Sequence, residues 1–251
     1  MPPKSTSLIN KIKVGAVSYL NTKPLLYGIE RSELRDRIEL LLEYPARLAQ
    51  HLKEGTIDLA LVPVAAMKDI PGTRIVGEYG IAADGDVASV CIFSQVPMEE
   101  ITQVYLDYQS RTSVKLAEVL LRHHWKKQVT FLPATENYME YITDTKAGVI
   151  IGDRALKQLV NFNYVYDLAA AWKDFTGLPF VFAAWISNKE LPAEFIDAFN
   201  EANKAGLAHI DEIAAAHPFP YFDLKNYYTK HIHYLIDDDK KAGLEKFLTM
   251  I

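Results

Sequence analysis

The order of strands and helices is decided by residues 12–63, which read IKVGAVSYLNTKPLLYGIERSELRDRIELLLEYPARLAQHLKEGTIDLALVP. Three apolar runs in this stretch have the length and composition of buried strands: 12–17, 38–44 and 57–62. The two segments between them predict helices that open at Pro24 and Pro45, because proline suits the first turn of a helix. A strand–helix–strand–helix–strand order predicts a mostly parallel sheet with helices on its faces.

A second unit of the same kind follows this stretch. It predicts strands at 104–106, 129–132 and 147–151, and helices at 112–125 and 152–160. Two further apolar runs, 87–93 and 180–186, are suited to strands that cross between the two units. The remaining sequence predicts a helix at 192–215, with apolar residues along one face, and a helical tail at 223–251 that breaks near 237–239.

The two units predict an α/β fold of two lobes joined by two hinge crossings, with a ligand cleft between the lobes. Lobe 1 would be discontinuous, made of residues 1–93 plus 185–251, and lobe 2 would span residues 94–184. Open α/β sheets bind ligands in the crevice at the carboxyl ends of their strands. We therefore expect the binding residues to lie on the loops that follow the strands.

Composition excludes several classes of protein. The formal net charge is −5 and no basic stretch is present, so a nucleic-acid partner is not expected. Cys91 is the only cysteine, which excludes an intrachain disulfide and a zinc site of several thiolates; its apolar neighbours predict a buried strand thiol. Residues 1–10 lack the apolar core of a signal peptide, and no window approaches the roughly 20 apolar residues of a membrane span. We therefore expect a cytoplasmic protein without a membrane partner, and the sequence leaves the oligomeric state open.

Polar residues follow the first predicted strand, where they could face a ligand. Ser18 and Asn21 offer a hydroxyl and an amide, and the start of the next helix offers free N–H groups. Capping of that helix by Asn21 or Thr22 is an equally good interpretation for any single residue.

Two other strand ends carry residues that suit an anion. One predicted helix starts with Ser110, Arg111, Thr112 and Ser113. Free N–H groups, hydroxyls and a guanidinium at one helix start can bind a carboxylate or a phosphate, although a serine cap beside a solvated arginine is the simpler interpretation. Asp153, which follows Gly152 at the next strand end, would either cap a helix or accept a hydrogen bond from a ligand hydroxyl.

The sequence contains no common catalytic arrangement. There is no G-x-S-x-G elbow, no G-x-x-x-x-G-K-[ST] phosphate loop and no H-E-x-x-H zinc helix. His231 and His233 lack an evident third ligand, so a surface pair is a better interpretation than a metal site. The residues alone therefore predict a two-lobed binder of a small anionic ligand, with no cofactor and no metal.

Five segments, taken in order, carry a family resemblance. They are residues 18–25 (SYLNTKPL), 58–63 (DLALVP), 110–113 (SRTS), 151–156 (IGDRAL) and 176–185 (TGLPFVFAAW). Together they resemble the chorismate dehydratase family of the futalosine route to menaquinone, and the match covers nearly the whole chain. The sister family that forms 1,4-dihydroxy-6-naphthoate opens its first loop with a proline- and cysteine-bearing motif, so it is the weaker match.

The resemblance implies a fold similar to type II periplasmic binding proteins and the conversion of chorismate to 3-[(1-carboxyvinyl)oxy]benzoate and water. It also implies that Asn21 is the essential catalytic residue. An amide cannot act as a general base near neutral pH, so Asn21 would hydrogen-bond the leaving hydroxyl or hold the enolpyruvyl group, and the substrate's own carboxylate could accept the proton. The implied substrate-binding residues are Ser18, Ser89, Ser110, Arg111, Thr112, Ser113, Gly152 and Asp153.

Two other functions stay open at this point. A non-catalytic small-anion-binding protein of the same fold would bind chorismate without converting it, and the sister lyase would act on a cyclic futalosine derivative. The only cations near the predicted dianion site are Lys23, Arg111 and Arg154, and both arginines could equally be solvated.

Overall fold

A computed structural model of the chain describes residues 11–251, so the expectation about residues 1–10 lies outside the described residues. The strands form two separate sheets, and the backbone passes from one sheet to the other twice. This arrangement places two packed units side by side, as the alternation of elements predicts.

The first sheet has six strands. In spatial order they are β11 (His233–Leu235), β4 (Arg74–Ala83), β10 (Phe180–Ser187), β3 (Leu59–Pro63), β1 (Ile12–Ala16) and β2 (Ile38–Leu42). β1 is parallel to β2 and β3, as the opening stretch predicts. β10 is antiparallel to β3 and β4, and β11 is antiparallel to β4.

The second sheet has five strands. In spatial order they are β7 (Thr130–Pro133), β6 (Gln103–Leu106), β8 (Lys146–Ile151), β5 (Val90–Ser94) and β9 (Tyr164–Asp167). β6 is parallel to β7 and β8, whereas β5 is antiparallel to β8 and β9. Both sheets are therefore parallel on one side and antiparallel on the other.

The described helices begin and end close to prolines and glycines at several positions. Within residues 11–251 they are α1 (Lys23–Arg31), α2 (Pro45–Glu54), α3 (Arg111–His123), α4 (Gly152–Gln158), α5 (Leu168–Thr176), α6 (Ala193–Leu207), α7 (Ile210–Ala216), α8 (Leu224–Asn226) and α9 (Asp238–Met250). Pro24 and Pro45 lie in first turns, and Gly55 ends α2 with a φ of 69°, a left-handed conformation that glycine adopts without steric cost.

The runs 87–93 and 180–186 lie beside the two crossings, and their strands do not pair between lobes. β5 pairs with β8 and β9 inside the second sheet, and β10 pairs with β3 and β4 inside the first. An apolar strand completes its hydrogen bonds inside one sheet, so the chain changes lobe in the segment before it. We therefore move the proposed lobe boundaries from 93/94 and 184/185 to the crossings at 84–89 and 168–179.

The carboxyl-terminal third differs most from expectation. The helix predicted at 192–215 is two helices, α6 and α7, and the tail predicted as helical contains a π-helical turn, Tyr227–His231, and strand β11 before α9. β11 forms because β4 offers it a sheet edge, which local spacing in the sequence does not reveal. No sequence expectation covers β4, β9 or α5.

The predicted buried thiol is confirmed. Cys91 lies in β5 and is 1% exposed. Burial raises the pKa of its thiol well above the usual range, so the side chain stays neutral and contributes to the packing of the second sheet.

Candidate active site

A cleft between the two sheets receives residues from seven separated parts of the chain. About 600 Å³ of this cleft is not filled by atoms, and part of that space is open to solvent. The cleft wall is mostly apolar, and its polar side chains are Tyr19, Asn21, Thr22, Ser89, Gln109, Ser110 and Ser113. The loops after β1, β6 and β8 all reach it, as the carboxyl-end rule predicts.

Asn21 lies in a single 3-10 turn, Leu20–Thr22, between β1 and α1. The Thr22 hydroxyl donates to Asn21 Oδ1 at 3.2 Å, and Thr22 itself is fully buried. Neither residue caps α1 with its side chain, so the capping interpretation of this loop is wrong. The Asn21 amide is instead part of the cleft wall.

Ser89 ends the first crossing between the lobes and is 1% exposed. Its carbonyl accepts a hydrogen bond from Gly152 N at 2.7 Å, which joins it to the start of α4. Its hydroxyl accepts a hydrogen bond from the Tyr227 hydroxyl at 2.8 Å. The sequence gives no signal for Tyr227, because the π-helical turn that carries it has no distinctive local pattern.

Of the four predicted residues at the start of α3, two line the cleft and two do not. Ser110 and Ser113 line the cleft; Ser110 Oγ accepts from Ser113 N at 3.1 Å and donates to Ser113 Oγ at 2.9 Å. Ser110 is thus both a helix cap and part of the cleft, because residues three apart share one helix face.

Arg111 and Thr112 do not line the cleft. The Thr112 hydroxyl is buried and accepts a hydrogen bond from Ala65 N at 3.0 Å. The Arg111 guanidinium lies 2.7 Å from the Asp69 carboxylate. Ala65 and Asp69 follow β3 in the first lobe, so these two residues of α3 join the lobes to each other.

Gly152 lines the cleft, whereas Asp153 and Ser18 lie outside it. One Asp153 carboxylate oxygen accepts a hydrogen bond from Leu20 N at 3.2 Å, so Asp153 supports the loop that carries Asn21. Burial raises the pKa of the Asp153 carboxyl, and the bond from Leu20 opposes that rise. Ser18 is exposed and faces a neighbouring surface pocket formed with residues 42–44.

The cleft wall carries no positive charge among the described residues that line it. Arg154 is not among the lining residues, and it pairs with the buried carboxylate of Asp107 at 2.7 Å. Tyr19 is the one ionisable side chain among the described lining residues. Burial raises its pKa to about 12, and its hydroxyl donates to Gln109 Oε1 at 3.1 Å. A bound anion would therefore be held by neutral hydroxyl, amide and backbone N–H donors.

Within residues 11–251, no group of three or more histidine, cysteine, aspartate or glutamate side chains is arranged to hold a metal ion. The same residues include no helix whose length and apolar character suit a membrane crossing.

Comparison with known proteins gives a consistent result along the full chain. A family described as menaquinone biosynthesis matches residues 12–251. A chorismate dehydratase of Thermus thermophilus is 27% identical and covers 93% of each chain. A chorismate dehydratase of Campylobacter jejuni is 28% identical and covers 93% of this chain and 95% of its own.

Solved structures share the fold at low sequence identity. A protein of Archaeoglobus fulgidus aligns with a TM-score of 0.72 at 15% identity, over 96% of each chain. The periplasmic aliphatic sulphonate binding protein of Escherichia coli aligns with a TM-score of 0.63 at 14% identity, over 96% of this chain and 86% of its own. The expected two-lobed, periplasmic-binding-protein-like α/β fold is therefore confirmed.

Proposed function

This chain belongs to the menaquinone biosynthesis family and is an enzyme, and we propose that it is the lyase that removes water from chorismate. One observation carries the proposal: Asn21, Ser89, Ser110 and Ser113, which are far apart in sequence, line one cleft of neutral hydrogen-bond donors. Two relatives that share nearly the full length bear the name chorismate dehydratase, which gives the substrate and the reaction.

The cleft suits a substrate with two carboxylates. Ser110 and Ser113 present hydroxyls at the start of α3, where unpaired N–H groups and the helix dipole favour negative charge. The Ser89 hydroxyl lines the same cleft and supplies a further donor, whereas the Gly152 N–H is already bonded to the Ser89 carbonyl. We assign one substrate carboxylate to the Ser110–Ser113 turn and place the other carboxylate towards Ser89.

The reaction breaks two bonds of chorismate and leaves an aromatic ring. The proton leaves C3, the hydroxyl leaves C4, and together they form the released water. Because the ring becomes aromatic, the step is downhill and needs alignment more than a strong acid or base. Positioning alone can lower a barrier by about 7–11 kcal/mol in favourable cases.

The proton acceptor is the substrate itself in this proposal. Tyr19 is the one ionisable side chain among the described cleft-lining residues, and with a pKa raised by burial to about 12 it is protonated and a poor base at neutral pH. The Asn21 amide cannot accept the proton either. The enolpyruvyl carboxylate of chorismate would fold over C3 to take the proton, while Asn21 hydrogen-bonds the leaving hydroxyl.

The test is a turnover assay with purified protein, chorismate and EDTA, in which the aromatic product is followed by absorbance and chromatography. Wild type should form 3-[(1-carboxyvinyl)oxy]benzoate. Asn21→Ala should lose at least about a hundredfold in kcat and bind product within about threefold of wild type, because it removes an interaction made mainly in the transition state.

The matched control is Asn137→Ala, which removes an exposed asparagine amide that makes no capping hydrogen bond. It should retain wild-type turnover. Near-normal kcat in Asn21→Ala would contradict the assignment of Asn21. Binding of chorismate without any product would favour a binding protein of the same fold, and conversion of a cyclic futalosine derivative would favour the sister lyase.

A further inference from the structure

The π-helical turn Tyr227–His231 packs against the first crossing between the lobes, residues 84–89. Tyr227 is fully buried and its hydroxyl donates to Ser89 Oγ at 2.8 Å. At the other end of the turn, His231 Nδ1 lies 2.8 Å from the Asp86 carboxylate. Single π-helical turns of this kind occur frequently at functional sites, and here the turn contacts the segment that delivers Ser89 to the cleft.

The Tyr227 hydroxyl bonds to one side chain of the cleft wall, that of Ser89. Burial raises the pKa of Tyr227, so the phenol stays protonated and able to donate. Asn21, on the same wall, is oriented by a different bond, in which its amide oxygen accepts from the Thr22 hydroxyl.

The direction of this bond determines what Ser89 offers to a substrate. A serine hydroxyl has one hydrogen and two acceptor lone pairs. When Tyr227 donates to Ser89 Oγ, the hydrogen of Ser89 is free to point into the cleft. Tyr227 therefore makes Ser89 a donor towards the substrate.

We propose that Tyr227 is a positioning residue for the reaction, because its hydroxyl donates to Ser89 and so leaves the hydrogen of the Ser89 hydroxyl free for the substrate. This inference depends on the proposed dehydratase function. Tyr227 does not itself line the cleft, so it acts through Ser89, which does.

The adjacent residue provides a matched control. Tyr228 is also buried, at 2% exposure, but its hydroxyl has no hydrogen-bond partner among the described residues. Tyr227→Phe and Tyr228→Phe remove the same atom from neighbouring positions of one turn. A general effect of losing a buried hydroxyl on folding would appear in both variants.

The experiment is a double-mutant cycle on kcat/KM for chorismate, with the melting temperature and the Kd of the product measured for each protein. Tyr227→Phe should lose about tenfold in kcat/KM, and Tyr228→Phe should stay within about twofold of wild type. Added to Ser89→Ala, Tyr227→Phe should cause less than about a twofold further loss, because residues that act as a unit are not additive.

Equal losses in the two phenylalanine variants would overturn the proposal. It would also be overturned if the loss in kcat/KM of the double variant equalled the product of the losses of Tyr227→Phe and Ser89→Ala. A Tyr227→Phe chain that fails to fold while Tyr228→Phe folds would also overturn it, because the bond would then serve the fold. A wild type that binds product and makes none would end the dehydratase proposal alone, and the same cycle on product Kd would still decide the role of Tyr227.

Discussion

Ala88 adopts a left-handed backbone conformation, with a φ of 60°, directly before Ser89. This conformation costs a residue with a Cβ atom about 1–2 kcal/mol. The Asp167 carboxylate stabilises it, since one of its oxygens accepts from Val87 N at 2.9 Å and from Ala88 N at 2.7 Å. Strained backbone held by its surroundings is common at functional sites. Here it turns Ser89 into the cleft at the point where the chain changes lobe.

The ionisation of Tyr19 leads to a prediction about pH. Burial raises the Tyr19 pKa to about 12, so the phenol stays neutral to a higher pH than an exposed tyrosine does. With no other ionisable side chain among the described lining residues, kcat for chorismate should vary less than about twofold between about pH 7 and 9. A pH–rate profile checks this. An alkaline limb with an apparent pKa of about 8–9 would show that a side chain of the enzyme moves the proton.

At the scale of elements, α1 and α6 meet at two glycines. A Cβ atom on Gly206 would lie 1.9 Å from the carbonyl oxygen of Pro24, and one on Gly28 would lie 1.9 Å from that of Ala202. The two helix backbones therefore touch directly. Because α1 begins two residues after Asn21, this contact fixes where the first loop of the cleft can lie.

Gly206→Ala should consequently destabilise the protein and lower its activity. The new methyl group meets backbone atoms of α1 that cannot move aside, and overpacking of this kind typically costs about 1–3 kcal/mol or more. Denaturant unfolding measures the loss of stability, and the chorismate assay measures the displacement of Asn21. Ala205→Ser, on the exposed side of α6, is the control and should change neither quantity appreciably. Wild-type stability in Gly206→Ala would show that the helices can separate at little cost.

At the scale of the whole molecule, hydrogen bonds beside the cleft tie the lobes together. Tyr19 and Leu20 of the first lobe bond to Gln109 and Asp153 of the second. Further bonds join Ala65 to Thr112 and Asp69 to Arg111. These bonds hold the lobes close together around the cleft.

These inter-lobe bonds differ in burial, and their contributions to stability should differ accordingly. Thr112→Val keeps the shape of the side chain but leaves the buried N–H of Ala65 without an acceptor, which should lower the free energy of unfolding by about 1–3 kcal/mol. Arg111→Ala removes an ion pair whose side chains are 63% and 56% exposed, so it should cost at most about 1 kcal/mol. Denaturant titration compares the two variants; a larger effect of Arg111→Ala would contradict this assignment.

Local sequence patterns predict the structure that builds the cleft: the order of strands and helices from β1 to β3, the turns after the strands and the buried thiol of Cys91. These features depend on periodicity, prolines and glycines within a few residues of each other, so local spacing suffices to predict them. The family resemblance also predicts Asn21, Ser89, Ser110 and Ser113 as site residues, and these four residues line the cleft.

Which residues of those loops face the cleft depends on how the two lobes pack together. Ser110 and Ser113 face it while Thr112 faces Ala65, because the angle at which α3 meets the first lobe is set by packing between lobes. Tyr227 reaches Ser89 from 138 residues away in sequence. No local pattern encodes such a contact, since it exists only when the carboxyl-terminal turn packs on the crossing between the lobes.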